Sequence, residues 1–481
     1  MSRASVVVIG GGIAGLAAAW ELSGGAEGPT SDTPRIEILE ASERLGGSLA
    51  TTTFAGRTID LGADGFLARR PEAVTLAHEL GLADQLEPIA ASGASLWSLG
   101  ALHELPKDLV LGVPTNLRAI LEFKGVSWRA HLAAKRDAYL PKRLRVGEDA
   151  TIGQIVRIKL GAELAYRFVE PMIGGIQAGR IDDLSARSVF PALFEAAKKG
   201  GSLMKALRPT VSAGPSPTSE AAADGPVFYS MQHGVGSLAA ELAIRLIERG
   251  VVVRRGIPVT AIRRTPAGGY PLEVDTYRTT TSANGVVFAT PAPVVSALVG
   301  PLDPALEELR TITAASAAMV TFAVPRSEIE LPIHGTGILV PLKTPWREGD
   351  SMIVTAVTFL DRKWPRLVRE GDVILRAHVG RIDDARFAEL SDEELTQRVS
   401  EELVVLLPRF GVPTDSVVQR WLEGLPQYRV GHQQRVDHAR AAARRYAFAL
   451  AGNAYDGVGI PASIGSGRRA AREVIEQLSS S

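Results

Sequence analysis

Cysteine is absent from the 481 residues of the chain, which excludes disulfide bonds, thiolate-bound zinc, iron–sulfur clusters and a thiol nucleophile. Neither sign of charge is in excess, because 53 Lys and Arg residues balance 53 Asp and Glu residues. A nucleic-acid-binding protein carries a basic excess, so we expect no nucleic acid partner. A chain without cysteine also fits a reducing compartment, and we expect a cytoplasmic protein.

Long hydrophobic runs are missing as well. The longest, residues 4–20, contains four glycines and falls short of the ~20 apolar residues that a membrane span needs. Hydrophobic residues nevertheless make up 46% of the chain and charged residues 22%, which are the proportions of a globular protein. At roughly 100–200 residues per domain, the length predicts two to four domains.

The chain does contain a glycine-rich turn between a predicted strand and a predicted helix. Residues 5–9 (SVVVI) are typical of a buried parallel strand, and residues 16–22 are rich in the helix formers Ala and Leu. The spacing G-x-G-x-x-G between them predicts a turn whose backbone approaches a dinucleotide pyrophosphate at the start of the helix. The candidate cofactor-binding residues of this turn are Gly10, Gly11, Gly12, Ile13, Ala14 and Gly15.

An acidic residue, Glu40, follows the next predicted strand, residues 36–39. A carboxylate at this place accepts hydrogen bonds from the ribose hydroxyls of a dinucleotide. It lies further from the glycines than the usual ~20 residues, because residues 24–34 are typical of a loop insertion. Beyond it, two adjacent glycines permit close backbone approach and an arginine can offset phosphate charge. The candidates from this segment are Glu40, Ala41, Arg44, Gly46, Gly47 and Ser48.

Six segments together resemble the family of FAD-dependent protoporphyrinogen and coproporphyrinogen oxidases, which belongs to the amine oxidase superfamily of flavoproteins. The first, second and last segments are similar to those of amine oxidases, and the middle ones favour the porphyrinogen branch. The segments are residues 10–15, 40–48, 62–70 (GADGFLARR), 170–179 (EPMIGGIQAG), 425–432 (LPQYRVGH) and 452–467 (GNAYDGVGIPASIGSG). The resemblance implies that the cofactor is FAD.

The resemblance also implies further cofactor contacts. One loop should line the flavin ring, a strand residue should meet the adenine side, and a glycine-rich segment should lead into a final helix. We expect the N-terminus of that helix to face the edge of the flavin where negative charge gathers on reduction. The implied residues are Gly62, Ala63, Asp64 and Gly65 for the loop, Val259 for the strand, and Val458, Gly459 and Ile460 for the final segment.

The implied fold class is α/β, with a Rossmann-like FAD-binding domain, a mixed-sheet substrate domain and a helical subdomain. The FAD-binding domain is expected to be discontinuous, over residues 1–70, 227–300 and 420–481. The substrate-binding sheet is expected over residues 300–420, and a helical part that faces substrate or membrane over residues 72–208. Residues 208–226 are rich in Pro, Ser and Thr and predict a flexible loop.

Oxidation of a porphyrinogen to a porphyrin removes six electrons, so the family implies three cycles of a two-electron flavin, with oxygen as acceptor and hydrogen peroxide as product. Flavin N5 takes the hydride, and we therefore expect no catalytic side chain and no metal. The resemblance favours coproporphyrinogen III, an intermediate of haem biosynthesis. Its four propionates suit cationic side chains, for which Arg69 and Arg70 are the candidates.

Two alternative enzymatic functions stay open at this point, besides a non-catalytic flavoprotein or ligand carrier. The first is oxidation of protoporphyrinogen IX. The second is amine oxidation, which would need an aromatic pair over the flavin, with Trp421, Tyr428 and Tyr455 as candidates. The expected partners are the porphyrinogen and molecular oxygen, and a peripheral membrane contact or a hand-over to the next enzyme of haem synthesis is left open.

Overall fold

A parallel sheet of five strands is the centre of the computed structural model, which describes residues 3–208, 225–264, 272–331 and 333–479. The sheet draws strands from the beginning, the middle and the end of the chain, as expected for a discontinuous nucleotide-binding unit. In spatial order the strands are Val252–Arg254, Arg35–Leu39, Ser5–Ile9, Gly285–Phe288 and Phe448–Leu450. The α/β class predicted from the sequence is confirmed.

Both faces of the parallel sheet are covered, which explains why its strands are almost wholly apolar. Alternate residues of the first strand, such as Val6 and Val7, belong to the hydrophobic clusters on opposite faces. The helices on one face are Ile13–Leu22, Pro71–Glu79, Gly236–Glu248 and Ile460–Ser479. The other face packs against the antiparallel strands Val259–Arg264, Leu272–Thr276 and Thr280–Ala283 and the helices Ala292–Val299, Pro304–Glu307 and His432–Arg444.

A mixed sheet of seven strands forms the second layer system. Its strands in spatial order are Asp415–Pro426, Ala314–Pro325, Asp372–Val379, Val354–Phe359, Gly337–Leu339, Ala94–Ser98 and Ala101–Glu104. All neighbours are antiparallel except Gly337–Leu339 and Ala94–Ser98, which are parallel. Helix Asp392–Leu406 packs on this sheet and begins with a capping box between Ser391 and Glu394.

Two boundaries differ from those expected. Residues 94–104 lie in the range assigned to the helical part, yet they form two strands of the seven-stranded sheet. The expected boundary at residue 420 falls inside the strand Asp415–Pro426. Both strands are fixed by pairing with distant segments, and local sequence does not report such pairing. The division into domains stays a prediction.

The helical part packs around its own apolar cluster beside the seven-stranded sheet. Its helices are Leu117–Glu122, Trp128–Tyr139, Ile152–Leu160, Ala162–Leu164, Glu170–Gln177, Ala186–Val189, Pro191–Lys199 and Leu203–Ala206, with a π-helical turn at Ala165–Val169. The flexible loop expected over residues 208–226 lies almost entirely outside the described residues. Within the described ranges, no helix combines the length and apolar character that a membrane crossing requires.

Short elements complete the described chain. The strands Thr51–Phe54 and Arg57–Asp60 form a hairpin, and Phe66–Leu67, Phe228–Met231 and Leu86–Pro88 form a three-stranded sheet. Two further pairs are Leu109–Val110 with Val113–Pro114 and Ile329–Glu330 with Arg409–Phe410. The one-turn helix Leu360–Lys363 follows the strand Val354–Phe359 directly.

Candidate functional site

The glycine turn after the first strand is tightly packed on one side and open on the other. Gly10 has a φ of +104°, and a Cβ there would lie 2.6 Å from the carbonyl oxygen of Ala289. A Cβ on Gly15 would lie 1.9 Å from the carbonyl oxygen of Gly10, so only glycine fits either place. A Cβ on Gly12, in contrast, would have its nearest neighbouring atom, the Cα of Gly47, at 3.8 Å. The open side is where a pyrophosphate would reach the backbone.

Helix Ile13–Leu22 presents free N–H groups at this turn. Its first turn holds no acidic residue, and no side chain in the described part of the chain accepts a hydrogen bond at its cap, Gly12. A helix start in this state favours an anion.

Glu40 is held at the turn by three hydrogen bonds. Its Oε2 accepts from the backbone N–H of Gly11 at 2.6 Å, and its Oε1 accepts from the N–H and hydroxyl of Ser42 at 2.8 and 2.7 Å. Its carbonyl oxygen accepts from Ile257 N–H at 2.9 Å, which brings the strand that starts at Val259 to the same place. The structure thus joins the glycine turn, Glu40 and the Val259 segment.

The loop after Glu40 approaches the glycine turn through its own glycines. The N–H of Gly46 donates to the carbonyl oxygen of Gly11 at 2.8 Å, and a Cβ on Gly47 would lie 3.1 Å from the Cα of Gly12. The guanidinium of Arg44 donates to the carbonyl oxygens of Leu45, Gly47 and Leu49. Arg44 therefore shapes the loop, and its contact with phosphate stays a prediction, as do those of the exposed Ala41 and Ser48.

The loop of residues 62–65 is fixed from the seven-stranded sheet. Arg376, which is fully buried, donates to the carbonyl oxygens of Gly62 at 3.2 Å and Asp60. The indole N–H of Trp421 donates to the carbonyl oxygen of Leu61 at 3.0 Å. The backbone of this loop is therefore rigidly placed, as a surface against a planar ring requires.

The carboxylate of Asp64 is engaged by the protein itself, because it accepts from Lys363 Nζ at 2.8 Å and from Trp364 Nε1 at 3.1 Å. Burial opposes ionisation of Asp64, but Lys363 and Arg376 outweigh it and hold the pKa of Asp64 well below its usual range. At the neighbouring Asp60 the effect of burial outweighs that of Arg366, which lies 2.9 Å away, and the pKa of Asp60 is raised to about 6. The contact of Asp64 with the flavin stays a prediction.

The C-terminal segment reaches the site from the end of the strand Phe448–Leu450. Gly457 and Gly459 have φ values of +117° and +103°, and no atom lies within 4 Å of a Cβ built on Gly459. The final helix begins at Ile460, and a Cβ on Gly467 would lie 2.0 Å from the carbonyl oxygen of Ala14. Seven residues of helix span ~10 Å, so the start of the final helix lies about that far from the contact with the first turn of helix Ile13–Leu22.

Two polar residues at the site were not identified from the sequence. The hydroxyl of Thr290 is buried without a hydrogen-bond partner in the described ranges, and its methyl carbon would lie 3.3 Å from a Cβ on Gly10. Thr290 lies two residues after the end of the strand Gly285–Phe288, and its position at the ligand-binding edge of a parallel sheet was the available signal. For Arg376 the signal was a charge inside the apolar run DVILRAHV.

The candidate substrate residues Arg69 and Arg70 are both exposed. Arg70 forms a salt bridge with Glu72 at 2.8 Å in the first turn of helix Pro71–Glu79. Their contact with substrate carboxylates stays a prediction.

The aromatic residues considered for amine oxidation do not form an open pair. Tyr428 is buried and stacks on His432 with ring centres 4.0 Å apart. Tyr455 belongs to the apolar cluster beneath the parallel sheet. Neither tyrosine therefore faces Trp421 to form an aromatic pair.

Comparison with known proteins gives a consistent result over the whole chain. The family model for flavin containing amine oxidoreductases matches residues 13–475. The coproporphyrinogen III oxidase of Bacillus subtilis (strain 168) is 32% identical over 476 residues, 98% of each chain. That of Mycobacterium bovis is 33% identical over 99% of each chain. A crystal structure from Exiguobacterium sp. 255-15, provisionally named protoporphyrinogen oxidase, superposes with a TM-score of 0.85 at 32% identity over both full chains.

Proposed function

Because the chain belongs to the family of flavin containing amine oxidoreductases, we propose that it oxidises coproporphyrinogen III to coproporphyrin III in haem biosynthesis. It is an oxidoreductase, and its cofactor is FAD. The observation that carries the choice of substrate is the similarity to coproporphyrinogen III oxidases, which extends over 98–99% of both chains. Similarity of this extent includes the seven-stranded sheet and the helical part as well as the nucleotide-binding unit.

The residues gathered at the edge of the parallel sheet fit FAD. The start of helix Ile13–Leu22 would hold the pyrophosphate, Glu40 the ribose, and the Val259 segment the adenine side. Bound FAD supplies the two-electron chemistry, so removal of six electrons takes three turnovers, with oxygen as the acceptor and hydrogen peroxide as the product. The chain's own task is to place the macrocycle against the cofactor and to exclude water.

Helix Glu170–Gln177 offers a surface for the macrocycle. Its buried side includes Glu170 and Ile173, whereas Gly175 and Ile176 are exposed and a Cβ on Gly175 would meet nothing within 4 Å. An open, apolar strip of this kind suits the face of a flat macrocycle. Arg69 and Arg70 would then pair with propionates.

The test is porphyrin fluorescence during aerobic incubation of the holoenzyme with coproporphyrinogen III, compared with the spontaneous rate. Faster formation of coproporphyrin, with three molecules of hydrogen peroxide for each porphyrin, would support the proposal. Protoporphyrinogen IX is the second substrate to test, since the Exiguobacterium structure carries that name. Activity on protoporphyrinogen IX alone would reverse the choice of substrate. If flavin-loaded protein oxidises neither porphyrinogen, the proposal is contradicted and amines become the substrates to test.

The proposal includes a cytoplasmic location and a peripheral contact with anionic membranes through helix Trp128–Tyr139. Four large apolar side chains there are more than half exposed: Trp128, Leu132, Tyr139 and Leu140. Basic residues dominate their surroundings, although the whole chain has no net charge. In residues 117–146 these are Arg118, Lys124, Arg129, Lys135, Arg136, Lys142, Arg143 and Arg145, against Glu122 and the buried Asp137. Exposed apolar side chains with a basic surround fit the surface of an anionic bilayer.

Sedimentation with vesicles tests this contact. We expect binding to phosphatidylcholine vesicles that contain phosphatidylglycerol, weaker binding at high salt, and loss of binding when Trp128 and Leu132 are changed to Ser. The matched control changes Val404 and Val412, which are equally exposed on the seven-stranded sheet side of the molecule. Absence of binding to anionic vesicles by the unchanged enzyme would contradict the contact and favour an acidic protein as the partner of this face.

A further inference from the structure

The segment of residues 425–432 (LPQYRVGH) has no part in the function described above, although it singles out the porphyrinogen branch in the sequence. It runs from the end of strand Asp415–Pro426 to the start of helix His432–Arg444. Gln427, Tyr428 and His432 are all buried. Buried polar side chains need partners, and those of Gln427 and Tyr428 lie on two other parts of the site.

The hydroxyl of Tyr428 holds the C-terminal loop, residues 452–459. It donates to the carbonyl oxygen of Asn453 and accepts from the N–H of Gly457 at 3.0 Å, so one hydroxyl closes the loop just before Val458. The Tyr428 ring is itself fixed by stacking on His432, with ring planes 11° apart. Burial raises the pKa of Tyr428 above its usual range, so the hydroxyl keeps its proton for donation.

The neighbouring residue holds the far end of helix Glu170–Gln177. Gln427 Nε2 donates to the carbonyl oxygen of Gln177 at 2.7 Å. A Cβ on Gly179 would lie 2.3 Å from Gln427 Oε1, so the chain passes directly over this amide. The carbonyl oxygen of Tyr428 also accepts from Ser185 N–H at 2.8 Å. Two adjacent residues thus connect the C-terminal loop with the helix expected to carry the macrocycle.

We propose that Tyr428 and Gln427 are positioning residues which set the C-terminal cofactor loop and the substrate-side helix Glu170–Gln177 in fixed relation to each other. The inference rests on the proposed function, because it assumes that residues 458–460 contact FAD and that helix Glu170–Gln177 contacts the porphyrinogen. Neither residue takes part in the chemistry. Tyr428 acts on FAD through the loop, and Gln427 acts on substrate through the helix.

The variant Tyr428→Phe keeps the ring and the stacking and removes only the hydroxyl. It leaves a carbonyl group and an N–H group of the C-terminal loop without their partner, and we expect FAD to bind about tenfold more weakly. The matched control is Tyr446→Phe, since the Tyr446 hydroxyl donates to the carbonyl oxygen of Leu302 at 2.7 Å. Tyr446 lies before the strand Phe448–Leu450, at the end of the parallel sheet away from the loop.

FAD titration into apoprotein, followed by flavin fluorescence and visible absorption, reads this effect without turnover. Weaker binding and a shifted flavin spectrum in Tyr428→Phe, with neither in Tyr446→Phe, would support the inference. Equal FAD affinity and equal spectra in both variants and in the unchanged protein would overturn it. Because the readout is FAD binding, it remains decisive even if the unchanged enzyme oxidises no porphyrinogen.

The variant Gln427→Leu tests the other connection. It removes the donor to Gln177 and should raise KM for the porphyrinogen several-fold, with FAD affinity unchanged. A merely structural role would lower thermal stability and leave KM in place. An unchanged KM would overturn the assignment of Gln427.

Discussion

Replacement of Gly467 by Ala is expected to separate the first and last helices. The new Cβ would lie 2.0 Å from the carbonyl oxygen of Ala14 and 3.0 Å from the backbone N of Ala18. Carbon and oxygen approach no closer than ~3.3 Å without strain, so the helices must move apart by about 1.3 Å. Overpacking of a well-filled core costs about 1–3 kcal/mol, and an overlap of this size belongs at the upper end.

Whether Gly467→Ala raises or lowers the stability decides whether the two helices are in close contact. Alanine is the better helix former by about 1 kcal/mol, so a Gly467→Ala variant without a clash would be more stable than the unchanged protein. With the clash we expect a net loss of about 2 kcal/mol. The control is Gly465→Ala in the same helix, whose Cβ would meet only the flexible side chain of Glu72, at 3.3 Å.

Urea unfolding followed by circular dichroism measures both variants. Gly467→Ala should lower the midpoint, and it should also lower FAD content, because Ala14 lies in the first turn of the helix proposed to hold the pyrophosphate. Gly465→Ala should leave the midpoint unchanged or raise it. A midpoint for Gly467→Ala at or above that of Gly465→Ala would refute the close contact between the two helices.

Three further predictions concern charge. Burial lowers the pKa of His432 to about 4. Because the unfolded chain binds this proton near pH 6.5, about 3 kcal/mol of the unfolding free energy should be lost as the pH falls from 6.5 to 4. The urea midpoint of the variant His432→Phe should therefore depend less on pH than that of the unchanged protein. Lys363→Met removes the cation that is hydrogen-bonded to the Asp64 carboxylate and leaves only the attraction of Arg376, so it should lower the unfolding free energy by about 3 kcal/mol. The added change Asp64→Asn should restore most of this loss in the same assay. Glu40→Gln should weaken FAD binding about tenfold in a flavin titration, whereas an unchanged affinity would place the ribose elsewhere.

Backbone requirements could be predicted from the sequence because they act through the glycines themselves. Gly10 and Gly15 stand where any Cβ would collide with backbone, and this demand is local to one turn. Glu40 could be predicted for a similar reason, since it follows a strand whose partner strands are evident from their apolar pattern. The strand, turn and helix that begin the parallel sheet followed from these features, whereas the α/β class was implied by the family resemblance.

The supports of the site could not be predicted in the same way. Arg376 is more than 300 residues from the Gly62 carbonyl that it binds, and Tyr428 joins a loop that only the folded chain brings near it. Strand Ala94–Ser98 likewise depends on pairing with Gly337–Leu339. The sequence of each of these segments is compatible with several tertiary partners. The contacts are therefore decided by packing rather than by local sequence pattern.

The neutral net charge illustrates the difference between composition and placement. Equal numbers of acidic and basic residues give the chain no net charge, yet the fold separates these charges in space. Carboxylates such as Asp60 and Asp64 lie against the buried Arg376 and the half-buried Lys363 beneath the loop of residues 62–65. Residues 117–146 place most of their cations on the surface around exposed apolar side chains. The fixed loop of residues 62–65 and the basic outer surface of residues 117–146 therefore arise from the same balanced composition, because only the fold decides which charges find partners inside the protein.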